Sequence, residues 1–595
     1  MDPTIFTPQY LKKTNPRLFR LISQAADPED LRGRIIDYSF GAEQKALEEA
    51  SHEDASFAAR IRDCGIILRG MLKPGSEQAA GGFSILQVLW DLGHDLPRPE
   101  LTPAFYADLL HLLLGVKGQG PRGSLDAIHL AAISASGRKA ALIRTRQLDS
   151  LWDEVDRRMN AFPTGLGAEA IKRRKRRREK ILAGLGGNLD DWHNWRWQIR
   201  NIIRDLATLE QLVKLSPSQR AAIKAAKEHK LPFGITPYYL SLMDDELGRR
   251  DAAIRAQVLP PMSYVREIAT IDDSSCLDFM GEEDTSPCDL ITRRYPAICI
   301  LKPYNTCPQI CVYCQRNWEI DDVMASGAFA GMERINEAIQ WIHEHPSIHE
   351  VLITGGDPLV MGNETLATIL AQVAEIPTVE RIRIGSRTPV TIPMRISEGL
   401  VGLLAQYREP GRREIALMTH IQHPYEITPE TAAAIDRLRL RGIPVYNQLV
   451  YTYYTSKRFE AAALRRHLRL IGVDPYYTFN TKGKDETLAY RVPIARLLQE
   501  QQEESRLMPG LTRTDEAVFN VPRQGKNYLR DRGYRNLLSI LPNGSRLYEF
   551  HSWERKVSQE ASTFITTDVP LLDYLERLRK DGESVSEYET IWYYF

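Results

Sequence analysis

The sequence predicts an α/β fold: a partial (β/α)6 barrel preceded by a largely helical N-terminal region. Two observations carry this expectation. From Ala297 onward short β-rich runs alternate with helical ones, as repeated βα units and a parallel sheet require. Side chains able to bind ligands fall just after the carboxyl ends of those runs, where barrels of this kind place their sites.

Taken in order, residues 1–180 show apolar positions at helical spacing in 83–92, 105–116 and 125–143, broken by a Gly/Pro loop at 118–123. No chemistry is legible there. Seven consecutive basic residues, 172–178, lie in a helix-compatible segment, 169–185, closed by the glycine-rich loop 184–187. Without interleaved aromatic or glycine residues to stack bases, the run reads as a solvated linker helix rather than a nucleic-acid patch. Residues 181–290 are expected to form a helical lead-in, 291–550 the barrel, and 551–595 a C-terminal extension. Within the barrel the candidate strands are 297–301, 350–354, 381–385, 415–419, 444–450 and 476–479. Between them, 335–343, 364–374, 396–406, 429–440 and 459–470 are each long enough for a crossover helix.

Composition narrows the function classes. At 595 residues the chain needs two or three domains. Its 77 basic and 77 acidic residues cancel, so no global field recruits nucleic acid or an anionic membrane, and a small-molecule substrate fits better. No stretch approaches the roughly 20 apolar residues that span a bilayer, and the N-terminus lacks the apolar core of a signal peptide. A cytoplasmic protein is expected. Four of the seven cysteines, Cys64, Cys276, Cys288 and Cys299, follow no disulfide or zinc spacing and read as small buried hydrophobes.

The other three carry the chemistry. Cys307, Cys311 and Cys314 form a CxxxCxxC loop directly after the first candidate strand. Thiolates suit iron–sulfur clusters, and three of them leave one iron of a four-iron cubane open for a further ligand. A zinc loop is the alternative, but zinc favours paired CxxC or Cys/His units and no second pair follows. One βα unit later comes Thr354-Gly355-Gly356-Asp357-Pro358, whose glycines permit close backbone approach to a ligand and whose Asp357 supplies an acceptor.

With Tyr313 directly before the third cysteine, the loop resembles that of radical S-adenosylmethionine (SAM) enzymes, and the GGDP turn resembles the segment that holds the SAM amino group there. Trp195-Arg196-Trp197-Gln198, residues 235–242, Arg294-Tyr295-Pro296, residues 384–389 and residues 419–424 narrow the likeness. In this order, with thirteen residues from Arg294 to Cys307, they resemble the lysine 2,3-aminomutase family over about residues 190–550. The resemblance implies a [4Fe–4S] cluster on the three cysteines, SAM at the open iron, and pyridoxal 5′-phosphate (PLP). It places the Schiff-base lysine at Lys526, in a loop shorter and poorer in glycine than the family's, where Arg523 and Gln524 depart from the pattern. Arg294 is implied near PLP, and Arg316 as the bidentate grip on the substrate α-carboxylate. Some relatives add a C-terminal cysteine group for zinc; no cysteine follows Cys314, so none is expected.

The resemblance also bears on the substrate. Lysine-specific members hold the distal ammonium between two aspartates, and the matching positions read Lys482 and Asn520. One cation and one amide repel a lysine side chain and attract a distal carboxylate, as in glutamate 2,3-aminomutase. A one-residue slip leaving Lys482 exposed is the alternative. Implied, then, is a reaction in which a radical from SAM cleavage removes hydrogen from C3 and PLP carries the amino group from C2 to C3. His420 and Gln448, at later strand ends, are expected either to line this chamber or to satisfy core hydrogen bonds. Expected partners are an amino acid, an electron donor such as flavodoxin or ferredoxin, and further copies of the chain as a homo-oligomer. Action on aspartate, lysine or a macromolecule-bound residue, and a non-catalytic cofactor-binding regulator, are the competing readings.

Overall fold

Strands β1 (Ile291–Tyr295), β2 (Ile298–Tyr304), β3 (Glu350–Gly355), β4 (Arg381–Gly385), β5 (Glu414–Thr419), β6 (Val445–Tyr451), β7 (Val473–Asn480) and β8 (Glu516–Val521) lie side by side in chain order. The structure is a computed structural model that describes residues 3–49, 55–121, 135–245, 251–271, 277–316, 319–320, 322–481, 485–552 and 563–595. It falls into two compact units. One comprises Arg157–Arg491 with Met508–Gly525, the other Met1–Asp156 with Val492–Leu507 and Lys526–Phe595.

In the first unit β1 is antiparallel to β2, and every later pairing from β2 to β8 is parallel. The six expected strands are β2 to β7. Among the described residues β8 adds a seventh parallel strand, so the sheet closes further round than a six-stranded barrel, and β9 (Gly525–Tyr528) opens at the last residue of the unit. All five expected crossover helices are present: Met332–His343, Asn363–Glu375, Glu398–Ala405, Pro429–Leu440 and Glu460–Leu470. Sequence explains each locally. In Met332–His343 the buried residues are Ile335, Ala338, Ile339 and Ile342, a single stripe at helical spacing. Burying each isoleucine stabilises the packing on the sheet by about 1.5–3 kcal/mol. Thr428 caps Pro429–Leu440 by accepting from Thr431 N, and proline stands in its first turn. Because the helices cover one face of the sheet, polar groups gather at the strand ends.

The basic run differs from its expected solvated state. It lies on the helix Ala168–Leu185, where Arg174 and Arg177 are buried. Arg174 pairs with Glu430, and Arg177 with Asp245 and, at 2.8 Å, the carbonyl of Leu212. Arg173 stands over the Tyr425 ring. Only part of the run, including Lys172, Lys175 and Arg176, faces solvent, while Arg173, Arg174 and Arg177 fasten the helix to its neighbours.

The second unit is assembled from distant stretches. Helices Ala55–Met71 and Pro103–Val116 come from the N-terminal part, while β10 (Arg535–Ile540), β11 (Arg546–Phe550) and β12 (Phe564–Thr567) form an antiparallel sheet. Its keystone is buried: Arg546 grips both oxygens of Asp108 at 2.8 Å across 438 residues of sequence. Of the expected helix 125–143, residues 125–134 lie outside the described residues, and the helix Gly137–Met159 covers the rest. Among the described residues no helix is long and apolar enough to cross a membrane.

Candidate functional site

The cysteine loop leaves the carboxyl end of β2 and is fixed from several sides. Ile310 N donates to Gly234 O at 3.2 Å and Val312 N to Gln257 O at 2.9 Å. Thr306 Oγ1 donates to Asp322 O at 2.7 Å. Cys307 packs against the apolar group Ile202, Ile310, Ile320 and Val323. Burial, reinforced by Asp357 and the other two cysteines, holds the Cys307 thiol well above its ordinary value. Cys314 Sγ accepts from Arg316 N at 3.4 Å, and Cys311 Sγ from Arg387 Nη1 at 2.8 Å. The Tyr313 hydroxyl donates to Gln257 Oε1 at 3.1 Å.

The turn after β3 braces this loop. Gly356 N donates to Tyr304 O at 2.8 Å and Asp357 N to Thr306 O at 2.9 Å. Gly355 has φ +112°, and a Cβ on Gly356 would overlap the Thr306 backbone, so both positions need glycine. Asp357 departs from its expected part. Its buried carboxylate already accepts from Ser386 Oγ at 2.7 Å, Thr388 Oγ1 at 2.9 Å, Arg387 N at 3.0 Å and Leu359 N at 3.1 Å. Four donors fill its lone-pair sites, so it clamps the ends of β3 and β4 together rather than offering an acceptor to a ligand.

After β4 and β5 come Arg387 and His420. Arg387 is held by Glu426 at 2.6 Å, by Gln257 and by the carbonyl of His420 at 3.1 Å. His420 Nδ1 lies 3.1 Å from Gln448 O, and burial, with Arg387 beside it, pushes its imidazole down to about 4, so the ring is neutral. Gln448, on β6, is half-buried.

Arg316 is buried, with Nη2 on Glu282 at 2.8 Å and, among the described residues, no partner for Nη1. Lys302 bridges Glu282 and Glu319 at 3.7 and 3.8 Å. Arg294 Nη2 donates to Met280 O at 2.8 Å, fixing the segment that carries Glu282. Asn520, at the end of β8, donates to Gln315 Oε1 at 3.3 Å, so it stands beside the loop that carries Arg316. Lys482 lies outside the described residues. The β7–β8 register sets Asn480, the last residue of β7, opposite Phe519, which precedes Asn520. Lys526 is half-buried on β9; its neighbour Asn527 is buried and donates to Tyr534 O at 2.6 Å and His551 O at 2.7 Å, which fixes the strand. The turn before it is tight, with Gln524 N on Val521 O at 3.1 Å and Arg523 at φ +58°.

Three thiols, two of them already accepting N–H groups, form a donor set that fits an iron–sulfur cluster. Each cysteine of a cubane binds a different iron, so their sulfurs need not converge on one point, and among the described residues no three His, Cys, Asp or Glu side chains do. The glycine turn packs its own backbone against Thr306 and Tyr304 and so stands directly beside the cysteine loop, and a half-buried amine on a fixed strand suits PLP. Sequence reasoning passed over Arg387, Glu426, Lys302, Glu282, Glu319 and Gln309, a buried amide on the cysteine loop with neither side-chain atom partnered among the described residues. Arg387 left a signal inside the run 384–389 and Gln309 inside the cysteine segment 307–314; the carboxylates and Lys302 left none.

Comparison with known proteins agrees. A family model described as the radical SAM superfamily matches residues 301–465. An uncharacterized KamA family protein of Methanocaldococcus jannaschii is 41% identical over 551 residues, 89% of this chain and 88% of its own. Glutamate 2,3-aminomutase of Clostridioides difficile is 32% identical over 450 residues, 75% of this chain and 99% of its own. L-lysine 2,3-aminomutase of Clostridium subterminale is 34% identical over 310 residues, 51% of this chain and 70% of its own. Radical SAM membership implies a [4Fe–4S] cluster and SAM. With the cysteine loop at the mouth of a parallel barrel and relatives matched over most of their length, the chain belongs to the KamA family of radical SAM aminomutases.

Proposed function

We propose that this protein moves the α-amino group of an acidic amino acid to C3, converting L-glutamate to β-glutamate (3-aminopentanedioate). The reading draws chiefly on charge: the two positions that match the distal-group aspartates of lysine-specific relatives read Lys482 and Asn520. A relative matched over 99% of its length acts on glutamate, which supports it.

When bound, the cluster with SAM supplies a hydrogen-abstracting oxidant, and PLP supplies the carrier on which nitrogen shifts. Cys307, Cys311 and Cys314 would hold the cluster, the Gly355-Gly356 turn would accommodate SAM, and Lys526 would hold PLP. The protein's own residues position and shield. Arg316 has a buried guanidinium nitrogen without a partner among the described residues, which suits a substrate α-carboxylate. Lys482 would pair with the distal carboxylate while the Asn520 amide donates to it. Neutral His420 adds no cation to the chamber. An external one-electron carrier such as flavodoxin or ferredoxin would reduce the cluster.

Charge decides between substrates. A unit pair at 4 Å is worth about 4 kcal/mol at an effective dielectric of 20, whereas one methylene discriminates by about 1–3 kcal/mol. Lysine is excluded on sign, and aspartate is the competitor that charge alone admits. The double variant Lys482→Asp, Asn520→Asp should lose glutamate turnover while keeping cluster content and reductive SAM cleavage. Undiminished glutamate turnover in that variant would refute the assignment of the pocket.

A further inference from the structure

Arg387 is buried at the inner end of β4 with each of its nitrogens engaged. Nε donates to His420 O at 3.1 Å and Nη1 to Cys311 Sγ at 2.8 Å. Nη2 reaches Glu426 Oε1 at 2.6 Å, the Tyr239 hydroxyl at 3.4 Å and Gln257 Oε1. Glu426 is held as firmly. It accepts from Gln422 N at 2.6 Å, His423 N at 3.3 Å and the Tyr239 hydroxyl at 2.7 Å. The guanidinium carbon also lies 5.4 Å from the centre of the Tyr239 ring. Neither charge is free to swing toward water.

Taking such a pair out of water costs several kcal/mol per ion, so its placement beside one particular sulfur asks for a reason. We propose that Arg387 sets the reduction potential of the cluster through Cys311, with Glu426 as the counterweight. This rests on Cys311 being a cluster ligand. Hydrogen bonds to cluster sulfurs and nearby net charge govern the potential of such centres. A guanidinium donating to the thiolate withdraws electron density and stabilises the state with one more electron, which an external one-electron carrier supplies. Glu426 holds the other terminal nitrogen, Nη2, so its negative charge offsets the guanidinium and opposes that electron. Between them they hold the potential at an intermediate value, and the pair acts at close range because its surroundings are dry.

The two residues therefore shift the potential in opposite directions, which a merely structural role would not do. The test is an anaerobic redox titration, followed by electron paramagnetic resonance, of the reconstituted full-length protein and the variants Arg387→Gln, Arg387→Lys and Glu426→Gln, with iron and sulfide measured in each. Arg387→Gln should lower the potential, Arg387→Lys should lower it less because the charge stays, and Glu426→Gln should raise it. Unchanged potentials, shifts in one common direction, or loss of iron from both Arg387 variants would overturn the proposal. Should Glu426→Gln fail to fold, the ordering of the two Arg387 variants decides alone. A wild-type protein that takes up no four-iron cluster would instead sink the cluster reading itself.

Discussion

Replacing Asp357 distinguishes a clamp from a ligand-facing acceptor. Its carboxylate takes hydrogen bonds from two hydroxyls and two backbone N–H groups, all at 2.7–3.1 Å. The hydroxyl of Ser386 also accepts from Thr388 N at 3.0 Å, and a hydroxyl can rotate toward another acceptor once the carboxylate is gone. The N–H groups of Leu359 and Arg387 cannot. Leaving two buried donors unsatisfied at about 1–3 kcal/mol each puts Asp357→Ala at about 4 kcal/mol of lost stability, a large part of the roughly 5–15 kcal/mol that holds a domain together. Asp357→Asn keeps one acceptor oxygen but turns an NH2 group toward one hydroxyl and one backbone N–H, and leaving that N–H unsatisfied costs about 1–3 kcal/mol. Urea unfolding of the cluster-free protein should show the midpoint falling in the order wild type, Asn, Ala, with SAM binding by the reconstituted Asn variant retained. An Asn variant as stable as wild type that no longer binds SAM would refute the clamp and restore a direct contact with the cofactor.

Other consequences follow from the same geometry. Gly356→Ala forces a methyl group into the Thr306 backbone, overpacking that costs about 1–3 kcal/mol, and should halve or further reduce the iron taken up on reconstitution; full iron content would contradict the bracing role of the turn. Burial, with Arg387 or Arg546 nearby, pushes His420 down to about 4 and His111 to about 3. Unfolded histidine titrates near 6.5, so the unfolded chain binds these protons first. The stability the two contribute is full above about pH 6.5 and is lost as pH falls toward 4. A double variant, His111→Gln with His420→Gln, should show a shallower fall in Tm between pH 6.5 and 4.5; an identical slope would show that the rings do not control it.

Much of this was legible in the sequence because the barrel writes a local signal. Buried parallel strands are short apolar runs, and each of β2 to β7 falls within a few residues of its expected position. β1 was not legible because Ile291-Thr292-Arg293-Arg294-Tyr295 is half charged or polar and gains its place only by antiparallel pairing with β2. β8 follows a long irregular stretch of short helices that breaks the βα rhythm. The second unit was hidden for a stronger reason: nothing local says that Asp108 will meet Arg546. At the site, the cysteine spacing and the glycine turn announce themselves because ligand geometry and close backbone approach demand particular residues at fixed intervals. Asp357 and Arg387 misled or escaped because a buried polar residue looks the same in sequence whether it faces a ligand or another side chain.

The most direct test of the account is proton NMR of the anaerobically reconstituted, reduced protein incubated with SAM and PLP and, separately, L-glutamate, L-aspartate and L-lysine. The account predicts β-glutamate as the product, little or no change in lysine, and aspartate no better than glutamate. Conversion of lysine in preference to glutamate would contradict it.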